Sequence, residues 1–413
     1  MPKSSTLRLD DALPLALEGY AWLPNRLRLA DADVLRTRLV GIPVMALRGP
    51  AAARFFYDEQ NVRRHGAIPG PVQSTLFGHA AVHTLDGAAH RVRKELFVGL
   101  LMNGGIDGLV ERVGAAWQTA AREWPTRGPV VLFDEASRVL TRAVCDWTGI
   151  PLAPAEVPAL AADLVAMVDG FATAGPRHWR ARRARTRRKD WLATLIEQVR
   201  RGETKAPAGS AVAVVAEHRD ADDTPLDART AAVELLNIIR PTVAVSWFVA
   251  FAGHALHRWP AHRDRLRAAD SAFTEAYAHE VRRFYPFAPF VGGRAVTDLA
   301  WNGVRVPAGA IVLLDLYGQN HDPRLWPEPY HFRPERFLDR EIGPFELVPQ
   351  GGGDPRTGHR CPGELITVAL LRDLAVRLAR LAYAVPEQDL GIPLHRIPTR
   401  PVDGLVIEVG PTA

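Results

Sequence analysis

Cys361 lies in Gln350-Gly351-Gly352-Gly353-Asp354-Pro355-Arg356-Thr357-Gly358-His359-Arg360-Cys361-Pro362-Gly363-Glu364. A glycine-rich loop delivers one cysteine to the start of an apolar stretch with helical spacing. A thiolate there would face open backbone N–H groups and the positive end of a helix dipole, and both lower a thiol pKa. A shielded thiolate of that kind suits the axial position of a haem iron. An inert buried cysteine after a flexible loop would read the same way locally. Two features upstream add to it. Glu280-Val281-Arg282-Arg283 sets a carboxylate and a guanidinium three residues apart, on one side of a helix, where they can pair. An ordinary surface ion pair has this spacing too. Pro334-Glu335-Arg336-Phe337 follows Trp326-Pro327-Glu328-Pro329-Tyr330-His331-Phe332. Each signal is weak alone, and their order and spacing together are specific.

Mostly helical elements must position these residues. The apolar periodicity predicts helices over Gly108–Arg122, Ala155–Asp169, Trp179–Arg201, Ala228–Leu256, Thr274–Tyr285 and Glu364–Leu381. Strand signals are few. Asn302-Gly303 between Leu299-Ala300-Trp301 and Val304-Arg305-Val306 is a hairpin signature, and Asp403-Gly404 before Leu405–Val409 reads as another. Polar Gly202–Asp227 reads as a long connection. The expected architecture is one mainly α domain over residues 1–413, with small β-sheets at its edges.

The totals fit that picture. The 413 residues are 47% apolar, enough for a substantial core, and the net charge of +5 is spread thinly. Such a balance suits acidic small molecules and gives no footprint for nucleic acid. Arg180–Lys189 holds seven cations in ten positions, which the solvated face of a surface helix explains. Of two cysteines, Cys145 sits in a helix-like stretch and reads as a core residue. The start, Met1-Pro2-Lys3-Ser4-Ser5-Thr6-Leu7, has no apolar signal core, and the apolar run Val243–Gly253 is shorter than the roughly 20 residues a bilayer needs. The expectation is a cytoplasmic protein without a membrane anchor.

From about Phe55 to its end, the chain resembles the cytochrome P-450 superfamily of haem-thiolate enzymes. That resemblance implies the cytochrome P-450 fold, with haem b between the long central helix and the cysteine-loop helix. It makes Cys361 the proximal iron ligand, and Glu280, Arg283 and Arg336 a buried network behind the cysteine loop. The loop departs from the family pattern. Asp354 stands where the family has Phe, and Thr357 where it has Gly, while His359 and Gly363 fit.

The central helix departs further. Most members carry an acid followed by Thr there, and this chain reads Asn237-Ile238-Ile239-Arg240-Pro241-Thr242-Val243-Ala244. Pro241 removes a helical N–H and kinks the helix. Arg240 would put a permanent cation in an apolar pocket, where an unpaired charge is costly. It therefore needs an anion. Glu234 is six residues away, on another part of the helix surface. A substrate carboxylate, gripped by the guanidinium fork, is the natural partner. A carbonyl freed by the proline, or a haem propionate, would satisfy Arg240 as well.

Arg-Pro at this place resembles the fatty-acid peroxygenase and decarboxylase branch. So do Phe55-Phe56-Tyr57-Asp58, Gly78–Gly87, His90-Arg91-Val92-Arg93-Lys94, Gly175–Trp179 and Phe284–Phe290. The branch implies oxidation of long-chain fatty acids at Cα and Cβ with hydrogen peroxide as co-substrate and no obligatory redox partner. The carboxylate held by Arg240 would act as the acid–base group. His83 stands where the branch has Gln in hydroxylating members and His in members that release a terminal alkene. A histidine that only packs above the haem would look the same. Phe77, Val168, Phe171, Phe287 and Phe290 are the expected channel lining, although each is equally plausible as plain core. Arg64, Lys94 and Tyr285 match positions expected to hold haem propionates. Three other functions remain open at this stage. They are a conventional P-450 monooxygenase that uses redox partners on another acid, a non-catalytic haem carrier or sensor, and a nucleic-acid module resting on Arg180–Lys189.

Overall fold

The computed structural model describes residues 10–102, 105–171 and 173–410. The expectation drawn from Met1–Leu7 lies outside the described residues.

The central helix begins at Asp227, whose side chain accepts the N–H groups of Arg229 and Thr230, and runs Ala228–Val243. Pro241 has no N–H to offer the carbonyl one turn back, and the ladder fails three residues later at Ala244. The chain resumes as a second helix, Val245–Arg258. The single helix expected to Leu256 is thus two, and the proline is the cause. The span Ala228–Arg258 is long and apolar enough to cross a membrane, yet 94% of its most apolar window is buried inside the protein, as in a core helix.

Around this pair lie Leu132–Thr148, Val157–Asp169, the basic helix Pro176–Arg200, the ion-pair helix Ser271–Phe284 and the cysteine helix Glu364–Arg380. Ser271–Phe284 starts three residues before the expected Thr274, because Asp270 caps it by accepting from Phe273 N–H. The connection Gly202–Asp227 is not all loop: Ser210 caps a short helix, Ala211–Glu217. Cys145, 1% exposed, is packed in Leu132–Thr148. Burial pushes its thiol up to about 12.

Ten strands form three sheets among the described residues. They are β1 (Val34–Leu39), β2 (Ile42–Leu47), β3 (Val62–Arg63), β4 (Val130–Val131), β5 (Phe290–Ala295), β6 (Leu299–Trp301), β7 (Val304–Val306), β8 (Ile311–Asp315), β9 (Tyr383–Ala384) and β10 (Val406–Val409). The largest sheet has the order β1-β2-β8-β5-β3, and only β2 and β8 run parallel in it. β6 and β7 pair across Asn302-Gly303, as the sequence predicts. Asp403-Gly404 turns the chain, with Gly404 at φ +72°, but does not close a hairpin, since β10 pairs with β4 and β9 instead.

Candidate haem and carboxylate site

Cys361 stands just ahead of the cysteine helix. Its N–H donates to the carbonyl of Gln350 at 3.1 Å, and Gln350 Nε2 approaches its Sγ at 3.9 Å. Glycine at 351 is required here. Its φ is +97°, and a Cβ would run into the Tyr57 hydroxyl. Lys94 Nζ donates to the carbonyl of Arg360 at 2.6 Å. Burial raises the Cys361 thiol, against the lowering influence of Lys94 and of the Gly363 N–H. The expectation that loop amides and dipole alone would depress it is therefore corrected. Desolvation outweighs them, and a bound cation is what would stabilise the thiolate.

The network behind the loop is buried. Glu280 and Arg283 pair through two hydrogen bonds, at 2.7 and 2.8 Å, and both are fully buried. Arg336 Nε reaches Glu280 at 3.1 Å. Arg283 also donates to the carbonyls of Asn320 and Pro329. A residue the sequence reading missed links this network to the loop: Arg282 pairs with Glu364, the first residue of the cysteine helix, and donates to Gln350 Oε1 at 3.2 Å. Arg282 sits within the Glu-x-x-Arg stretch, but the pairing reaches across 82 residues.

On the opposite wall, Arg240 is 5% exposed. Its Nη2 donates to Asn237 Oδ1 at 3.0 Å, and its Nε has no partner. No carboxylate among the described residues forms an ion pair with it. Burial, aided by the nearby Arg185 cation, lowers its pKa to about 9, and the Cys361 thiolate acts in the opposite sense. The Phe77 ring lies 5.8 Å from the Arg240 guanidinium and 4.4 Å from the His83 ring. His83 Nδ1 is buried without a partner. Burial and then Arg240 hold its pKa well below the usual histidine value, so the imidazole is neutral at pH 7. Its ring can take part in hydrogen bonds there, but resists taking up a proton. Pro241 is exposed although its helix neighbours are buried, so it borders open space.

His90 and His359 stack with ring centroids 3.9 Å apart, each with a buried nitrogen lacking a hydrogen bond among the described residues. Glu59 lies beside both. Arg64, 4% exposed, sits over Phe56 and Tyr57, with no carboxylate ion pair. The Cys361 thiol, the buried Arg64 guanidinium, which also donates to the carbonyl of Gly292 at 3.2 Å, and the His90–His359 pair form a donor set that would hold a haem and its carboxylates. Lys94 serves the loop carbonyl and Cys361. Tyr285, expected beside a propionate, is corrected: its hydroxyl meets His254 Nδ1 at 2.7 Å and its ring stacks on Phe251. It caps the C-terminus of its helix in an extended conformation, which turns it into the core.

The lining residues divide. Phe77 meets Arg240 and His83. Val168 is buried in the main core, and Phe171 is half-buried against it. Phe287 packs on Phe248 and Trp247. Phe290 is on β5 and turns its ring toward Trp22, in a separate cluster. Arg180–Lys189 is mostly solvated as expected, with one exception. Arg185 is 4% exposed and donates to the carbonyls of Leu76 and Phe77, at 2.6 and 2.8 Å.

A thiol loop buttressed by a buried Glu–Arg–Arg network under a long central helix defines a haem-thiolate protein. The cytochrome P-450 family model matches residues 267–369. A curated relative, cytochrome P-450 4e5, mitochondrial, from Drosophila mettleri, is 29% identical over 160 residues, 34% of this chain and 30% of that protein. The chain thus aligns with about a third of the length of such curated relatives. Solved structures match far more fully. Cytochrome P-450SP alpha (CYP152B1) in complex with (R)-ibuprophen is 40% identical, with 97% of this chain and 98% of that one covered and a TM-score of 0.94. A variant of cytochrome P-450 OleT in complex with arachidonic acid is 35% identical, with 98% of both chains covered and a TM-score of 0.95. Cytochrome P-450EX alpha (CYP152N1) with myristic acid is 37% identical, with 98% of both covered and a TM-score of 0.93. The chain belongs to the cytochrome P-450 family, in the branch to which these CYP152 structures belong. The family carries a thiolate-ligated haem, which the residues described here fit.

Proposed function

We propose that this protein oxidises long-chain fatty acids at Cα and Cβ with hydrogen peroxide, yielding hydroxy acids, terminal alkenes or both. The observation that carries this reading is Arg240, a buried cation with no carboxylate partner among the described residues, beside a proline kink. The molecules held by the three related structures above are all carboxylic acids, as the guanidinium requires.

Arg240 binds the fatty-acid carboxylate through its open N–H groups and so fixes the first carbons of the chain. Phe77 covers the headgroup and excludes water, and Phe287 lines the route of the tail. Even with its pKa lowered to about 9, Arg240 stays charged at neutral pH and serves as the anchor, so the bound carboxylate is the acid–base group. Placed against the peroxide, its oxygen can take the proton of one peroxide oxygen and return it to the other, so that one oxygen departs as water and the other ends in the hydroxy acid or, in alkene formation, in the second water. Cys361, with Arg64, His90 and His359, would hold the haem, which would supply the redox chemistry when bound, and thiolate donation would favour O–O cleavage. The balance closes either way. One peroxide and one fatty acid give a hydroxy acid and water, or a terminal alkene, carbon dioxide and two waters. Neutral His83 adjusts the pose of the carboxylate by hydrogen bonding. This reading needs no electron-transfer partner, makes residues 1–413 one haem domain, and places the protein in the cytoplasm.

The test is incubation of the haem-loaded protein with myristic or palmitic acid and peroxide, without reductase, followed by gas chromatography. Products from the acids, and none from a matched alkane, are expected. Turnover only with a reductase would overturn the reading and favour a conventional monooxygenase.

A further inference from the structure

Glu234 and Asn237 lie two turns and one turn before Arg240 on the central helix. The three form a chain. Arg240 Nη2 donates to Asn237 Oδ1 at 3.0 Å, and Asn237 Nδ2 donates to Glu234 Oε2 at 3.1 Å. Asn237 Nδ2 also donates to the carbonyl of Phe77 at 3.1 Å. The other oxygen of Glu234 accepts the N–H of Val82, the residue before His83, at 2.9 Å. It also accepts Arg93 Nη1 at 2.7 Å, and Arg93 pairs on its far side with Asp220. Glu234, Asn237 and Arg93 are all at most 4% exposed.

One carboxylate thus reaches both walls of the site. Through Asn237 it holds the Arg240 guanidinium, and through Val82 it holds the turn that presents His83. Asn237 meanwhile grips the backbone of Phe77, whose ring faces both. An amide at 237 has a special merit. Its oxygen orients the guanidinium while leaving the positive charge uncompensated, and its nitrogen connects to an acid whose own charge is met by Arg93. A carboxylate at 237 would neutralise Arg240 and compete with any guest acid.

We propose that Asn237 and Glu234 are positioning residues that fix Arg240 relative to His83, with Asn237 acting as an uncharged spacer that keeps the guanidinium open to the substrate headgroup. This rests on the fatty-acid reading above. Myristate affinity of the haem-loaded protein, followed as the spectral shift on titration, tests it. Asn237→Leu removes a hydrogen bond to a charged group and is expected to weaken binding roughly tenfold. Asn237→Asp is expected to weaken it further, because it supplies an internal anion. A merely structural role gives the opposite order, since Asp is the smaller change in shape. Glu234→Gln keeps the affinity closer to wild type but shifts the ratio of alkene to hydroxy acid. If Asn237→Leu fails to retain haem, Asn237→Ser takes its place in the comparison. Asn237→Asp binding as tightly as wild type, or more tightly than the neutral variant, would overturn the proposal. Wild-type protein that binds no myristate would overturn the functional reading, and this one with it.

Discussion

At the scale of single residues, the buried guanidinium of Arg240 matters most. Its nearest described hydrogen-bond partner is an amide, so a substrate carboxylate would be its first counter-charge. Arg240→Ala should keep haem but lose a charge-assisted pair worth about 2–5 kcal/mol in a desolvated site. The expected outcome is a fall in kcat/KM for myristate of at least about 30-fold, measured with peroxide as oxidant. His83 has its own test. Its pKa is depressed below the unperturbed value of about 6.5, so the ring does not change charge between pH 6.5 and 8. The alkene-to-hydroxy-acid ratio should therefore be flat across that window, while His83→Gln should lower it at every pH. An unchanged ratio in the variant would remove His83 from product selection. The sequence displays Arg240 and Cys361 openly because each breaks a local rule. Asn237 and Arg185 break none, and their roles depend on which backbone carbonyls the fold brings to them.

At the scale of elements, side-chain period locates a helix but not the direction its last residue takes. Tyr285 satisfies the spacing of Ser271–Phe284 yet leaves it in extended conformation, and so faces His254. Phe290 belongs to β5, where alternation with its neighbours turns it to Trp22. Pro241 is plain in the sequence, whereas the interruption it causes appears only at Ala244. The end of β8 offers a separate test. Asp315 caps the short helix Leu316–Asn320 by accepting from Gly318 N–H at 2.8 Å. Burial lifts its pKa to about 7, against the pull of that N–H and of Arg48. A carboxyl raised on folding holds a proton in the folded chain that the unfolded chain has released. Stability from this group is thus present at low pH and lost as pH rises from about 4 through 7. Asp315→Asn keeps the accepting oxygen and removes the charge. It should raise the thermal midpoint at pH 8 and change it little at pH 4.5, by calorimetry.

For the whole molecule, the buried cluster of Glu280, Arg283 and Arg336 ties the ion-pair helix to the segment leading into the cysteine loop. Loss of Arg283 leaves buried Glu280 with Arg336 as its remaining cation and strips the carbonyls of Asn320 and Pro329 of their donor. Arg283→Met should cost about 3–5 kcal/mol and reduce haem retention, both read from denaturant titration of haem-loaded protein. The family signature shows Glu280, Arg283 and Arg336 in the sequence. The link through Arg282 to Glu364 and Gln350 was not legible, because it joins positions that only the assembled fold makes adjacent. The same holds for Glu59, which the fold brings beside His90 and His359.

The placement of Cys145 bears on how such a protein survives its own oxidant. Peroxide attacks thiolates, and a thiol with a pKa near 12, closed inside a helix bundle, presents almost none at neutral pH. Apart from Cys361, the chain has no other sulfhydryl to lose. Inactivation by excess peroxide should then appear as bleaching of the haem, with Cys145 recovered unoxidised when its peptide is weighed by mass spectrometry.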